Sequence, residues 1–213
     1  MKNKSVILCA ACLLTVGITS CQSEVTKDEA YKLLNSFKPE DSIKELKTIS
    51  ITSELKEEGT ETIKIQIDFD IASTYYYITS KSSTGPEDVE LFTKVGEQYI
   101  LSNSKGSTVI PSTDVLNKFN EKLDIISLSL FITTADLDGL ALLCGDGKIS
   151  YYKDGNNVKF EAKSKDEKIV YNYEINELGL TTKQVIKNVI DGKASEGNTS
   201  FKYNGHINKK SKL

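Results

Sequence analysis

Between Ile63 and Ile71 every second residue is apolar: Ile63, Ile65, Ile67, Phe69 and Ile71 alternate with Lys64, Gln66, Asp68 and Asp70. A period of two puts the apolar set on one face of a β-strand and the charged set on the other, so one side is buried and one solvated. Ile49, Ile51 and Leu55 repeat the period before the turn Glu57-Glu58-Gly59-Thr60. Further strands are predicted at Tyr75–Ile78, Val89–Lys94, Gln98–Leu101, Lys148–Lys153, Asn157–Ala162, Lys168–Ile175, Thr182–Ile190 and Phe201–Ile207, with turns at Gly96, Asp154-Gly155 and Asn176-Glu177-Leu178-Gly179.

The period becomes helical in two places. Thr26-Lys27-Asp28-Glu29 fits a capping box, and Ala30, Leu33, Leu34 and Phe37 follow on one face, which predicts a helix over 27–38 closed by Pro39. Ser112-Thr113-Asp114 offers a cap for a helix through Leu123, with Val115, Leu116 and Phe119 apolar. Ile125 to Cys144 is the most hydrophobic stretch after residue 21; Asp136 and Asp138 argue against a membrane span there, and one or two short buried helices are expected, broken at Asp136-Leu137-Asp138-Gly139. The whole reads as an α+β fold, an antiparallel β meander of about nine or ten strands whose apolar face is covered by an N-terminal helix and central helices.

The start of the chain is of another kind. Lys2 and Lys4 precede an uncharged run from Ser5 to Ser20 that ends in small residues before Cys21. That is the layout of a secretory signal, and it is short for a transmembrane helix, which needs about 20 apolar residues. Ile18-Thr19-Ser20-Cys21 is similar to the lipobox of bacterial lipoproteins. The resemblance implies a diacylglyceryl group on the Cys21 sulfur, cleavage just before it, and lipid anchoring to the extracytoplasmic face of the cell membrane. The chain then divides into a signal peptide (1–20), the lipidated cysteine with a short tether (21–25), a folded domain (26–207) and a basic tail (208–213) expected to be frayed and solvated. Cys9 and Cys12 fall in the removed segment, so Cys144 is the one thiol left to the domain and is expected to be a buried small hydrophobe.

Charge and composition remove several functions. Without Lys2 and Lys4, 25 basic residues face 30 acidic ones, a net charge of −5, which argues against nucleic acid as a partner. Every basic residue is lysine, so the side chain best suited to bidentate phosphate or carboxylate recognition is absent.

Lipobox, N-terminal helix, meander, central helices and returning meander together resemble the LolA/LppX-like family of lipoproteins and lipid carriers, over residues 26 to 207. The stretch Tyr171-Asn172-Tyr173-Glu174-Ile175-Asn176-Glu177-Leu178-Gly179-Leu180-Thr181-Thr182-Lys183 is similar to a hairpin common in such proteins. The resemblance implies a curved, half-open barrel whose concave apolar face is closed by helices and binds acyl chains or lipoproteins. Ile63, Ile65, Ile67, Phe69, Ile71, Leu128 and Phe131 are the candidate ligand-lining residues, although periodicity alone favours a packed core face for the stripe from Ile63 to Ile71 over the wall of a pocket.

Catalytic constellations are weak. Asp136-Leu137-Asp138-Gly139 opens like a calcium loop, but Ala141 stands where glycine is needed and Gly147 where glutamate is needed. Asp68 and Asp70 share a strand face, the usual place of solvated carboxylates. His206, the single histidine, has no cysteine or histidine partner for a metal and no G-x-S-x-G nucleophile to serve. The sequence therefore points to a non-enzymatic protein without a metal or cofactor, which binds a lipid or other hydrophobic ligand. The alternative is a surface interaction module with a packed core, directed at a protein or an envelope polymer.

Overall fold

The computed structural model describes residues 22–190 and 192–211. The signal segment and Cys21 lie outside them. Strand β1 (Ser23–Val25) begins the described chain, so the stretch read as a tether enters the sheet, paired with β8 (Lys148–Asp154). Helix α1 (Lys27–Leu34) carries the expected capping box: Thr26 accepts from the Glu29 amide while the Glu29 carboxylate accepts from the Thr26 amide. These bonds hold the Glu29 carboxyl below its ordinary pKa, the Thr26 backbone amide contributing most.

The helix is shorter than its periodicity suggests. Asn35 caps it, and Pro39 opens a second helix, α2 (Pro39–Lys44), rather than ending the first. Proline is well placed at a first helical position, where its missing N–H has no partner to lose. Ile43 of α2 packs on the core.

A meander follows: β2 (Thr48–Glu57), β3 (Ile63–Asp70), β4 (Tyr75–Ser82), β5 (Glu87–Val95), β6 (Gln98–Asn103) and β7 (Gly106–Ile110). β7 had no sequence signal, because it is a five-residue edge strand with little buried surface to impose an apolar period. Helices α3 (Val115–Ser127) and α4 (Thr134–Leu143) come next, and a second meander returns: β8, β9 (Asn157–Lys163), β10 (Val170–Ile175), β11 (Thr181–Ile190) and β12 (Lys193–Tyr203). β12 starts well before the expected Phe201 and ends at Tyr203, because its first half faces no core and so carries no apolar alternation.

All strands join one antiparallel sheet in the order β1-β8-β9-β10-β11-β12-β2-β3-β4-β5-β6-β7. β12 lies beside β2, with Phe201 opposite Ile51 and Tyr203 opposite Ile49, which joins the two meanders at the centre. The sheet stays open, with β1 and β7 as its edges. Because β7 and β8 stand far apart in this order, the connection through α3 and α4 must cross the sheet face. That is why the helices lie on it.

They cover it in two places. Over β2–β6 and β12, α2 and α3 enclose a core of Ile49, Ile51, Phe69, Tyr76, Phe92, Phe119, Leu130 and Phe201. Phe119 of α3 sits 5.7 Å from Phe69 in an edge-on arrangement, and Tyr76 stacks on Phe92 at 5.3 Å. Over β8–β10, α1 and α4 enclose Ala30, Leu137, Cys144, Tyr151, Phe160, Ala162 and Ile175. Cys144 is buried as expected, and burial pushes its thiol pKa up. Gly179 locks the β10–β11 turn to the α1–α2 link: its φ is +77°, and a Cβ there would lie 2.7 Å from Phe37.

Candidate ligand-binding groove

Between the two cores the helix-facing side of the sheet is left bare. Leu55 of β2 pairs with Ile63 of β3, and both are well exposed for inward-facing residues, at 41% and 37%. Gly197 of β12 lies opposite Leu55, and a Cβ there would come within 3.1 Å of a Leu55 methyl, so glycine leaves the floor room. Ile186 and Gln184 of β11 continue the floor, with Ser195 and Thr199 between. These residues border a cavity of about 490 Å3 whose rim carries Lys56, Glu57, Glu61 and Glu196. Hydrogen bonding from Asn198, with Lys187 at 3.3 Å, holds the Glu196 carboxyl below its ordinary pKa.

Gln184 also borders a second cavity, of about 620 Å3, between the sheet and the helices. Its walls are Leu128, Phe131, Ile132, Leu140 and Leu143 on the helical side and Tyr173 and Thr181 on the sheet. The two spaces thus adjoin at one side chain. Gln184 is held there by donating to the Tyr173 hydroxyl at 2.6 Å. Burial raises the Tyr173 pKa against the opposing effect of that bond, so the hydroxyl stays neutral. The Thr181 amide donates to the Leu130 carbonyl at 2.8 Å, which pins the α3–α4 link to the start of β11. The result is a groove whose floor mixes Leu55, Ile63 and Ile186 with Ser195 and Thr199, with one central amide–phenol pair and charges at one mouth. A smaller, polar recess of about 320 Å3 lies near Gln22, among Tyr152, Lys153, Lys159 and Glu174.

The sequence-derived lining residues divide. Leu128 and Phe131 border the helical half of the groove, and Ile63 the sheet half. Ile65 lies on the same inward face, opposite Ser53 and Ser80. Ile67 and Ile71 pack against the first core, and Phe69 is fully buried within it. One stripe therefore runs from core at one end of β3 to groove at the other. Leu55, Gln184, Ile186, Leu140 and Leu143 join the lining without having been expected there. For β11 and β12 a signal existed: an inward set of Gln184, Ser195, Gly197 and Thr199 is too polar for a covered strand.

Four other expectations change. Asp136-Leu137-Asp138-Gly139 does not break a helix but lies inside α4, where Asp136 completes a capping box with Thr133. Asp138 reaches α1, accepting from Lys27 at 2.6 Å and from Tyr31 at 2.8 Å, and both bonds, Lys27 first, depress its pKa. The central helices are only partly buried, since Leu142 is 82% exposed and Leu128 78%. The basic tail is not free: Lys209 pairs with Asp70 at 2.7 Å and the Lys210 amide donates to the Tyr75 hydroxyl. Partial burial pushes the Asp70 carboxyl up, but hydrogen bonds from Lys209 and Ser73 outweigh it and leave its pKa lowered. Asp68 is buried on the outer face and accepts from Ser50 and Gln66, so the two aspartates do structural work. His206 contacts Asn208 in the exposed tail. Among the described residues no group of three or more His, Cys, Asp or Glu is placed to hold a metal ion.

No family model matches this chain, and no curated protein matches it. Solved structures give distant likenesses. The lipoprotein LppX of Mycobacterium tuberculosis is 9% identical with a TM-score of 0.34, over 86% of this chain and 99% of that one. A LolA superfamily protein of Nitrosomonas europaea is 10% identical with a TM-score of 0.28, over 84% and 93%. MucB, solved in complex with MucA, is 11% identical with a TM-score of 0.30; the match covers 83% of this chain and 54% of MucB.

Proposed function

We propose that this protein binds the acyl chain of a lipid, or another elongated apolar molecule, in the groove between its two cores. It does so without catalysis, held to the extracytoplasmic face of the cell membrane by lipid on Cys21. The observation that carries this reading is the bare inner face. Between Phe69 and Phe160, which are completely buried, the described part of this antiparallel sheet leaves Leu55 and Ile63 exposed beside a partly buried Ile186. The two adjoining spaces, about 490 and 620 Å3, fall in the range of small-molecule sites. Each methylene moved from water into them is worth about 0.8 kcal/mol. The charged residues at the Lys56–Glu61 mouth suit the polar end of an amphiphile, and Gln184 with Tyr173 supplies a polar contact midway.

The test is native mass spectrometry of the chain from residue 22 onward, purified from bacteria, followed by organic extraction. A stoichiometric adduct is expected, lost in Leu128→Glu, whose exposed position tolerates the charge, and in Ile186→Glu if that variant keeps its fold. A clean mass for the unaltered chain, unchanged after incubation with fatty acids and phospholipids, would replace this reading with that of a protein- or polymer-binding module.

A further inference from the structure

Helix α4 is apolar on both sides. Leu137, Leu140, Ala141 and Cys144 turn toward the sheet, and Leu137 and Cys144 are buried. On the opposite face, at i, i+4, i+7 and i+8, stand Ala135, Gly139, Leu142 and Leu143, all exposed. Leu142 and Leu143 are 82% and 60% exposed, and Leu128, 78% exposed where α3 ends, borders the same space as Leu143. The helix's two acidic residues are engaged elsewhere, Asp136 at the cap with Thr133 and Asp138 with Lys27 and Tyr31. A water-facing helix ordinarily shows a polar side there; one apolar all round belongs in a core or in lipid. No described helix is long and apolar enough to cross a membrane, so contact would be lateral.

The rest of the chain says which apolar medium lies close. Residues 5–20 carry no charge and end at Cys21, two residues before β1. β1 pairs with β8, α1 lies over β8, and Lys27 joins α1 to α4 at 2.6 Å. Whatever holds Cys21 therefore holds α4 close by, since two extended residues span only about 7 Å.

We propose that the outward face of α4, with Leu128, docks on the surface of the lipid bilayer, its leucines entering the boundary of the acyl region. This rests on the membrane-anchor part of the proposed function and not on what fills the groove. A helix lying this way buries its apolar side about 5–10 Å into the headgroup boundary. Because Leu143 and Leu128 also wall the groove, docking would turn its helical opening toward the lipid.

The protein has no tryptophan, so Leu142→Trp adds a single indole reporter. The full chain would be added to phosphatidylcholine vesicles with brominated acyl chains. Emission of Leu142→Trp is expected to shift to the blue and be quenched, and adding Leu143→Glu to abolish both effects. Val109→Trp, on the exposed edge strand β7, is the control and should show neither. Vesicle-bound chain with unshifted, unquenched emission overturns docking and leaves the anchor standing. Chain that neither sediments with vesicles nor shifts overturns both. A blue shift that grows with protein concentration without lipid identifies a second copy as the occupant and overturns the proposal.

Discussion

Helices α3 and α4 follow one another along the chain and cross the same sheet, yet they finish their covers differently. α3 buries Val115 and Phe119 against the aromatic core and shows water a mixed face, on which Lys118 and Glu121 pair at 2.9 Å and Leu116 and Ile125 also stand exposed. Lys122 at its edge pairs with Glu90 at 2.9 Å, and the Glu90 carboxylate also accepts from the Tyr76 hydroxyl. α4 buries Leu137 just as completely but offers water Leu142 and Leu143. The contrast separates two kinds of apolar residue. One kind stabilises the fold; the other is surplus to folding and asks for a ligand or surface. An amphipathic cover closes a core, and a cover apolar on two sides opens a second question.

The strongest way to probe this contrast is to compare the two cores. Phe92→Ala, in the stack with Tyr76, Tyr99 and Phe119, should cost about 3–5 kcal/mol, and Leu137→Ala about 2–5 kcal/mol, measured by urea unfolding. Since β12 and β2 join the two halves, both variants should unfold in one transition; two separated transitions would make the halves independent units. The helix caps come next. Thr133→Ala removes the α4 capping box and should cost about 1 kcal/mol, whereas Asp114→Ala should cost much less, because Asp114 makes no side-chain cap bond to α3. Equal losses would erase the distinction.

A smaller effect is expected on the outward face. Leu142→Ala should change stability by no more than about 0.5 kcal/mol, the ordinary range for an exposed site, beside the large cost of Leu137→Ala one turn away. A cost near that of Leu137→Ala would mean that Leu142 is covered in solution. The smallest effect concerns the clasp between α1 and α4. The folded-state pKa of Asp138 is depressed by Lys27 and Tyr31, so its stabilisation is present above the ordinary carboxylate pKa and is lost as pH falls through the depressed one. Asp138→Asn should therefore lower Tm slightly at pH 7 and leave it unchanged once the pH is well below about 4, where the unaltered carboxyl is itself protonated. The pair is half-exposed, so a large difference at neutral pH would be inconsistent with this account.

Much of this molecule was written locally. The alternation from Ile63 to Ile71 fixed which face of β3 turns inward, because a strand has only two faces. Thr26 and Glu29 placed the start of α1 to the residue, since a capping box acts within one turn. Turns at Gly96, Gly155 and Gly179, all with positive φ, separated the strands where glycine allowed it. What tertiary structure alone decided is which inward residues are covered. Phe69 and Ile63 belong to one periodic stripe, yet the first meets Phe119 and the second meets open space. That outcome depends on β12 lying beside β2, with Gly197 against Leu55 across more than a hundred residues of chain, and on the path α3 and α4 take from one side of the sheet to the other. Periodicity records the direction a side chain points. Burial also requires a partner from elsewhere, and at Leu55 and Ile63 the described residues supply little of one.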